Sequence, residues 1–204
     1  MMISRRFQSA LAAASILTLA APAAAQLGGS DSSKFFSAIK DAKGQDVLDI
    51  LAKPGTTIID SHDPASGDGA LHIVVKRGDA TYTTFLLQHG ADPNIRDRSG
   101  ATPLIVAVNQ NQEACLQILI DGKADVNLAN DRGETPLILA VQLRNLPIVR
   151  DLLKAGADPD QADHMAGLSA RAYAARDKRS PAIAKALADA PKGHARAAVQ
   201  GPQL

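Results

Sequence analysis

Apolar residues along the chain come in short clusters separated by polar turns, not in one long stripe. The clearest are Leu104-Ile105-Val106-Ala107 and Leu137-Ile138-Leu139-Ala140, each headed by Thr-Pro (Thr102-Pro103, Thr135-Pro136). Each is followed by a second cluster, Cys115-Leu116…Leu119-Ile120 and Ile148-Val149…Leu152-Leu153, with a turn residue between them, Asn111 or Arg144. Two short antiparallel helices per unit are predicted from this spacing. Gly100 to Ala107 is respelled 33 residues later as Gly133 to Ala140. A degenerate copy, Gly67 to Val74, precedes them by the same step, and a further copy, Gly167 to Ala174, follows after 34.

Applied to the whole chain, the period divides residues 34–190 into five units: 34–60, 61–94, 95–127, 128–160 and 161–190. The first lacks the Thr-Pro-Leu head but keeps two apolar segments, Phe35-Phe36…Ile39 and Val47-Leu48…Ile50-Leu51, on either side of Lys43-Gly44-Gln45, where a glycine turn is expected. The second unit turns at Gly78 and the last near Lys178. Gly90 and Gly156 are placed to end second helices in the left-handed conformation. In the third unit Lys123 holds that position and Gly122 stands one place early, so a shifted or strained cap is expected. Gly55 to Gly90 spans 35 residues, two more than the repeat step, so the first connection is longer than those that follow; the last unit has one extra residue between Asp163 and Gly167.

The spelling has a physical reading. Thr102 and Thr135 suit the N-cap, where a hydroxyl accepts a free backbone N–H. Pro103 and Pro136 then fall at the first helical position, where a missing N–H costs nothing. Ala107 and Ala140 are small where two helices must pass closely. None of these helices is long enough to be stable alone, so stacking must supply the burial.

A period near 33 with Thr-Pro-Leu at its head resembles the ankyrin-repeat family. The resemblance implies an all-α solenoid of stacked helix-turn-helix units, degenerate at both ends, with the segments Asn94–Gly100, Asn127–Gly133 and Asp160–Gly167 projecting as hairpin-like fingers. It also implies protein binding on a concave face made of finger tips and exposed positions of the first helices. Mapped by period, those positions are Arg96, Arg98, Ser99, Ala101, Asn109 and Gln110, and in the next copy Ala129, Asp131, Arg132, Glu134, Gln142 and Leu143. The flanking copies add Lys76 and Arg77 on one side and His164, Met165, Leu168 and Arg176 on the other. Arg96, Arg98 and Arg132 are expected to meet an acidic patch on a protein partner. His72, fourth in the Thr-Pro-Leu-His position, is implied to bond neighbouring loops.

Composition narrows the functional classes. Hydrophobic residues make up 46% and aromatics 3%, with no Trp, so an aliphatic core is expected and no aromatic platform for sugars or bases is present. With 22 basic and 21 acidic residues there is no basic face to argue for nucleic acid. Cys115 is the only cysteine, which excludes an intramolecular disulfide; it reads as a small buried filler. No two of the five histidines have ligand spacing on a helix, and neither metal nor cofactor is expected. No nucleophile motif or phosphate loop occurs, so catalysis is not expected.

Residues 1–25 read as a secretory signal peptide: Arg5-Arg6, an apolar run from Ala10 to Ala21, and Ala23-Ala24-Ala25 before Gln26. Export to the periplasm, or secretion where there is no outer membrane, follows from it. The run is too short to span a bilayer. Removing these residues takes away Arg5 and Arg6 and no acid, so net charge passes from +1 to −1. Residues 26–33 read as a flexible leader and 191–204 as a disordered tail. The expected product is a monomeric, exported, non-catalytic protein-binding module. The alternatives are an inhibitor or immunity factor that blocks one enzyme, or an accessory factor that supports a periplasmic enzyme.

Overall fold

A computed structural model describes residues 29–191; the signal-peptide reading and residues 192–204 of the tail lie outside the described residues. Ten α-helices form five antiparallel pairs: α1 Gly29–Lys40 with α2 Gly44–Leu51, α3 Ala70–Lys76 with α4 Ala80–Gln88, α5 Pro103–Asn109 with α6 Glu113–Asp121, α7 Pro136–Gln142 with α8 Leu146–Lys154, and α9 Ala170–Arg176 with α10 Pro181–Asp189. The first helices stack in chain order, α1 on α3, α3 on α5, α5 on α7 and α7 on α9. This is the all-α solenoid that the resemblance implies.

The local chemistry follows the spelling. Thr102 accepts from the Ile105 amide at 3.3 Å and Thr135 from the Ile138 amide at 3.2 Å, with Pro103 and Pro136 at the first helical position. Ser169, Asn145 and Asp79 cap α9, α8 and α4 in the same way. Gly69 has no side chain to cap α3. Its own N–H is taken instead by Nδ1 of the buried His72 at 3.1 Å.

The turns between helices use positive φ at Gly78 (72°), Asn111 (53°) and Arg144 (56°). Two expectations are corrected, and a third is resolved between its alternatives. In the first unit the left-handed residue is Ala42 (φ 55°), and Gly44 opens α2. In the third unit, of the two outcomes expected, the cap is strained and not shifted: Lys123 adopts φ 68° at the regular step, a conformation costing an L-residue about 1–2 kcal/mol. Gly122 is glycine for another reason. A Cβ there would stand 2.9 Å from Leu87 Cδ1 of the preceding unit and 3.1 Å from the Ile118 carbonyl oxygen. Finally, the stretch read as a flexible leader is helical from Gly29 onward. Asp31 lies in the first turn of α1, where a carboxylate is favoured, and its ion pair to Lys53 at 2.9 Å fastens that turn to the end of α2.

The core is one continuous cluster running through all five units. In the middle it is aliphatic, as expected, with Leu104, Ile105, Leu116, Leu119, Leu137, Ile138 and Ile148 fully buried. Ala107 and Ala140 are also completely covered. The first unit departs from the aliphatic expectation: Phe35 and Phe36 are buried there, their rings edge to face at 5.3 Å. Cys115 is buried beside Thr83, and burial pushes its thiol pKa up. No helix among the described residues is long and apolar enough to cross a membrane.

A side-chain ladder locks unit to unit. Asp60, Asn94 and Asn127 each accept the backbone N–H of Asp92, Asp125 and Asp158 in the following unit, at 2.7–2.8 Å. These recurring Asp and Asn residues serve stacking as well as turns.

Candidate functional surface

The fingers are built around Asx turns. Asp97 accepts the amides of Ser99 and Ala101 and the Ser99 hydroxyl; Asn130 accepts the amides of Arg132 and Glu134. In the first finger Asp63 accepts the Ala65 amide and the Ser66 hydroxyl, and in the last Asp163 accepts the amides of Ala166 and Gly167. The extra residue of the last finger falls between Asp163 and Gly167, as expected. In the first connection one extra residue lies between Asp63 and Gly67, and the other precedes Asp63, where Ile58–Asp60 forms a 3-10 turn.

Three of these carboxylates sit below their ordinary range. At Asp63 the hydrogen bond from Lys40 is the chief cause. At Asp97 burial works the other way, but the Ser99 and Ala101 hydrogen bonds outweigh it. At Asp163 burial is likewise outweighed by the Tyr173 hydroxyl and the amides of Ala166 and Gly167.

Neighbouring fingers are tied to one another. Asp131 N–H donates to the Ser99 carbonyl at 3.1 Å and His164 N–H to the Arg132 carbonyl at 2.9 Å. His62 Nε2 lies 2.8 Å from the Arg96 carbonyl. Gly100 is packed so closely that a Cβ there would come within 2.0 Å of Asp131 Oδ1, and at Gly133 within 2.6 Å of His164. The surface is therefore preorganised, which lowers the ordering cost of any association.

The expected site residues fall largely where the period placed them. Lys76, Arg77, Arg96, Arg98, Ser99, Asn109, Gln110, Asp131, Arg132, Gln142, Leu143, His164, Met165 and Arg176 are exposed. Glu134, Ala129 and Leu168 are half-buried, and Ala101 is a correction: it is buried, and its carbonyl is the acceptor for His72. Leu143 (53% exposed) and Met165 (76%) are the exposed large hydrophobic residues among those described.

The arginines expected to meet an acidic patch have partners within the chain. Arg96 pairs with Asp131 at 3.2 Å and Arg132 with Glu134 at 2.8 Å. Arg98 is held by the carbonyls of Pro64 and Ala65 at 2.7 and 3.1 Å. Lys76 is fixed on Asp68 at 2.7 Å. Arg77 donates to the Ile39 and Lys40 carbonyls at the end of α1 and to Asp79, and its guanidinium stands 5.7 Å from the centre of the Tyr82 ring. Arg77, Arg96 and Arg98 connect neighbouring units, Lys76 and Arg132 bond within their own, and all five so belong partly to the scaffold.

A second feature lies at the opposite end of the first helices. Between the turns that follow α7 and α9, an open cleft of about 520 Å³ is lined by Val141, Gln142, Arg144, Tyr173, Arg176, Asp177, Lys178 and Arg179. Gln142 and Arg176 were among the expected site residues; Arg144, Lys178 and Arg179 were not. The clue to them in the sequence is the charged run Arg176-Asp177-Lys178-Arg179, about one repeat step after Arg144. Among the described residues no three His, Cys, Asp or Glu side chains are grouped to hold a metal ion.

Comparison with known proteins agrees with this architecture. A family model described as "Ankyrin repeats (3 copies)" matches residues 35–130, 71–163 and 115–197. The chain is similar to oxysterol-binding protein homolog 1 of Saccharomyces cerevisiae, 47% identical over 58 residues, 28% of this chain and 5% of that protein. It is similar to an ankyrin repeat-containing protein of Treponema pallidum, 30% identical over 94 residues, 41% of this chain and 32% of that one. It is 44% identical over 50 residues to an ankyrin repeat protein of Pyrobaculum aerophilum, 24% of this chain and 19% of that one. The chain thus spans about a third or less of the length of these relatives.

Proposed function

Because the chain belongs to the ankyrin-repeat family, whose fold is an interaction fold, we propose that it acts as an exported, non-catalytic binding module for one protein partner. The contact surface is the concave face made by the fingers and the exposed ends of the first helices. The observation that carries this reading is the contrast between two sets of positions within each repeat. Thr102 and Thr135, Leu104 and Leu137, and Ala107 and Ala140 recur and are buried. Ser99 and Arg132, Arg98 and Asp131, and Gln110 and Leu143 hold equivalent places, differ in chemistry and are exposed.

Export rests on residues 1–25. The supporting surface feature is the pair of exposed apolar side chains, Leu143 and Met165, which lie on the proposed face and not on the outer helices. Apolar side chains set in a preorganised polar surround are what anchors an interface.

The test is affinity capture from a periplasmic extract with three forms of the chain lacking residues 1–25. The form carrying Leu143→Asp and Met165→Asp is expected to lose about ten-fold or more of a partner that the unaltered chain retains. The form carrying Gln88→Asp and Gln117→Asp, both exposed on outer helices α4 and α6, is expected to retain it fully. Equal retention by all three forms contradicts the proposed face.

A further inference from the structure

We propose that the cleft between the ends of α7 and α9 is a docking site for an acidic peptide segment of the partner, an inference that rests on the protein-binding reading. The cleft carries four cations, Arg144, Arg176, Lys178 and Arg179, against the single carboxylate of Asp177. Asp177 Oδ2 is held by Arg144 Nε at 2.6 Å, and Oδ1 by Arg179 Nε at 3.1 Å. One carboxylate thus serves two guanidinium groups, while Arg176 and Lys178, both exposed, have no ion pair among the described residues.

Cations at helix C-termini are favoured by the backbone dipole. That general effect does not explain why they gather at this end of the stack. At the equivalent place between α5 and α7 Arg144 is the one cation, and its neighbours Asn109, Gln110, Asn111, Gln142, Leu143 and Asn145 are neutral. At the end of α3 the cations Lys76 and Arg77 are each matched to a carboxylate, Asp68 and Asp79. Between α7 and α9 the described residues leave a positive excess over a concavity. The chain as a whole is nearly neutral, so this excess is local.

The shape suits a peptide better than a lone anion. The cleft is open and includes apolar surface from Val141 and Tyr173, with exposed Leu143 between two of its lining residues. A segment of alternating carboxylates and aliphatic carbons would meet guanidinium and ammonium groups with its charges and this apolar surface with its stems. Arginine forks match carboxylates in two-point geometry. Residues 192–204, which follow α10, carry Lys192 and Arg196 and no acid, so they do not supply the counter-charge.

Fluorescence anisotropy of fluorescein-labelled hexaglutamate, titrated with the chain lacking residues 1–25, tests the proposal. Binding that weakens as sodium chloride is raised is expected, with hexalysine failing to bind. Lys178→Glu with Arg179→Glu is expected to raise Kd about ten-fold or more; Arg176→Glu on its own raises it by a smaller factor. Arg150→Glu with Lys154→Glu, exposed on outer helix α8, is expected to leave Kd within about two-fold. The cleft variants keep Arg144 at its turn, and unchanged thermal unfolding verifies that they fold. The proposal is overturned by no hexaglutamate binding, by equal weakening in the outer-helix variant, or by equally tight binding of a single-stranded oligonucleotide of the same charge. Displacement by inorganic phosphate beyond the effect of chloride at matched ionic strength also overturns it, in favour of a small-anion site. Failure here together with partner capture that depends on Leu143 and Met165 removes the acidic-peptide inference and leaves the binding face standing.

Discussion

Leu137→Ala is expected to lower the free energy of unfolding by about 3 kcal/mol in urea titration, whereas Leu143→Ala, six residues on, changes it by no more than about 0.5 kcal/mol. Leu137 is completely covered within the core and Leu143 is 53% exposed. Truncating a buried leucine removes its transfer free energy and leaves a cavity that a helix capped by Thr135 and begun by Pro136 can close only in part. The position adds a second effect. Stability in a stack of units is largely a sum of nearest-neighbour interfaces, and α7 lies between α5 and α9. Weakening it should broaden the transition, because the outer units begin to unfold separately. A sharp, unshifted transition would mean that the units are not coupled through α7.

The second large effect is expected at His72, and it depends on pH. The ring is fully buried. Nδ1 accepts the Gly69 N–H at 3.1 Å, and Nε2 lies 2.9 Å from the Ala101 carbonyl of the next unit. Because Nδ1 is an acceptor, the ring is neutral and Nε2–H is the donor. His72→Ala leaves an amide and a carbonyl without partners and is expected to cost about 3 kcal/mol.

Burial is the chief cause holding the ring's pKa below its ordinary value, and Lys76 adds to it. The Ala101 hydrogen bond and the carboxylates of Asp97 and Asp68 oppose. The unfolded chain therefore takes up this proton first as pH falls. Stability from His72 is complete above about pH 6.5 and declines as pH drops from there toward the lower folded value. His72→Gln, which can accept and donate, is expected to flatten that decline. The limb below about pH 4 belongs to Asp63, Asp97 and Asp163, whose lowered pKa values mean that stability is lost only as they are protonated. A wild-type profile between pH 5 and 7 that matches His72→Gln would refute the role given to the buried ring.

The scaffold was legible because its determinants are local. Thr135, Pro136 and Leu137 announce a capped helix within three residues, and the turn at Arg144 could be placed from Gly78 and Asn111 by counting. What escaped reading depends on residues far apart in the chain. Arg96 finds its carboxylate on Asp131 and Arg98 its carbonyls at Pro64 and Ala65, one finger away. Periodicity placed these arginines on the surface without showing that their charges are occupied. The cleft cations were missed for the same reason. Arg144 and Arg179 meet only because Asp177 stands between two stacked turns. At the start of α1, Ser30-Asp31-Ser32-Ser33 reads as a polar leader until Lys53 is seen to hold Asp31. At Lys123 the stacking geometry prevails over backbone preference, and the left-handed cap stays at its regular step without glycine.

Amide hydrogen exchange of the chain, alone and with its captured partner, tests the binding-face account most directly. The account predicts slowed exchange confined to residues 96–101, 129–134, 142–144, 164–168 and 176–179, with α4, α6 and α8 unchanged. Slowing centred on α4, α6 and α8, with the fingers and the ends of the first helices unaffected, would contradict it.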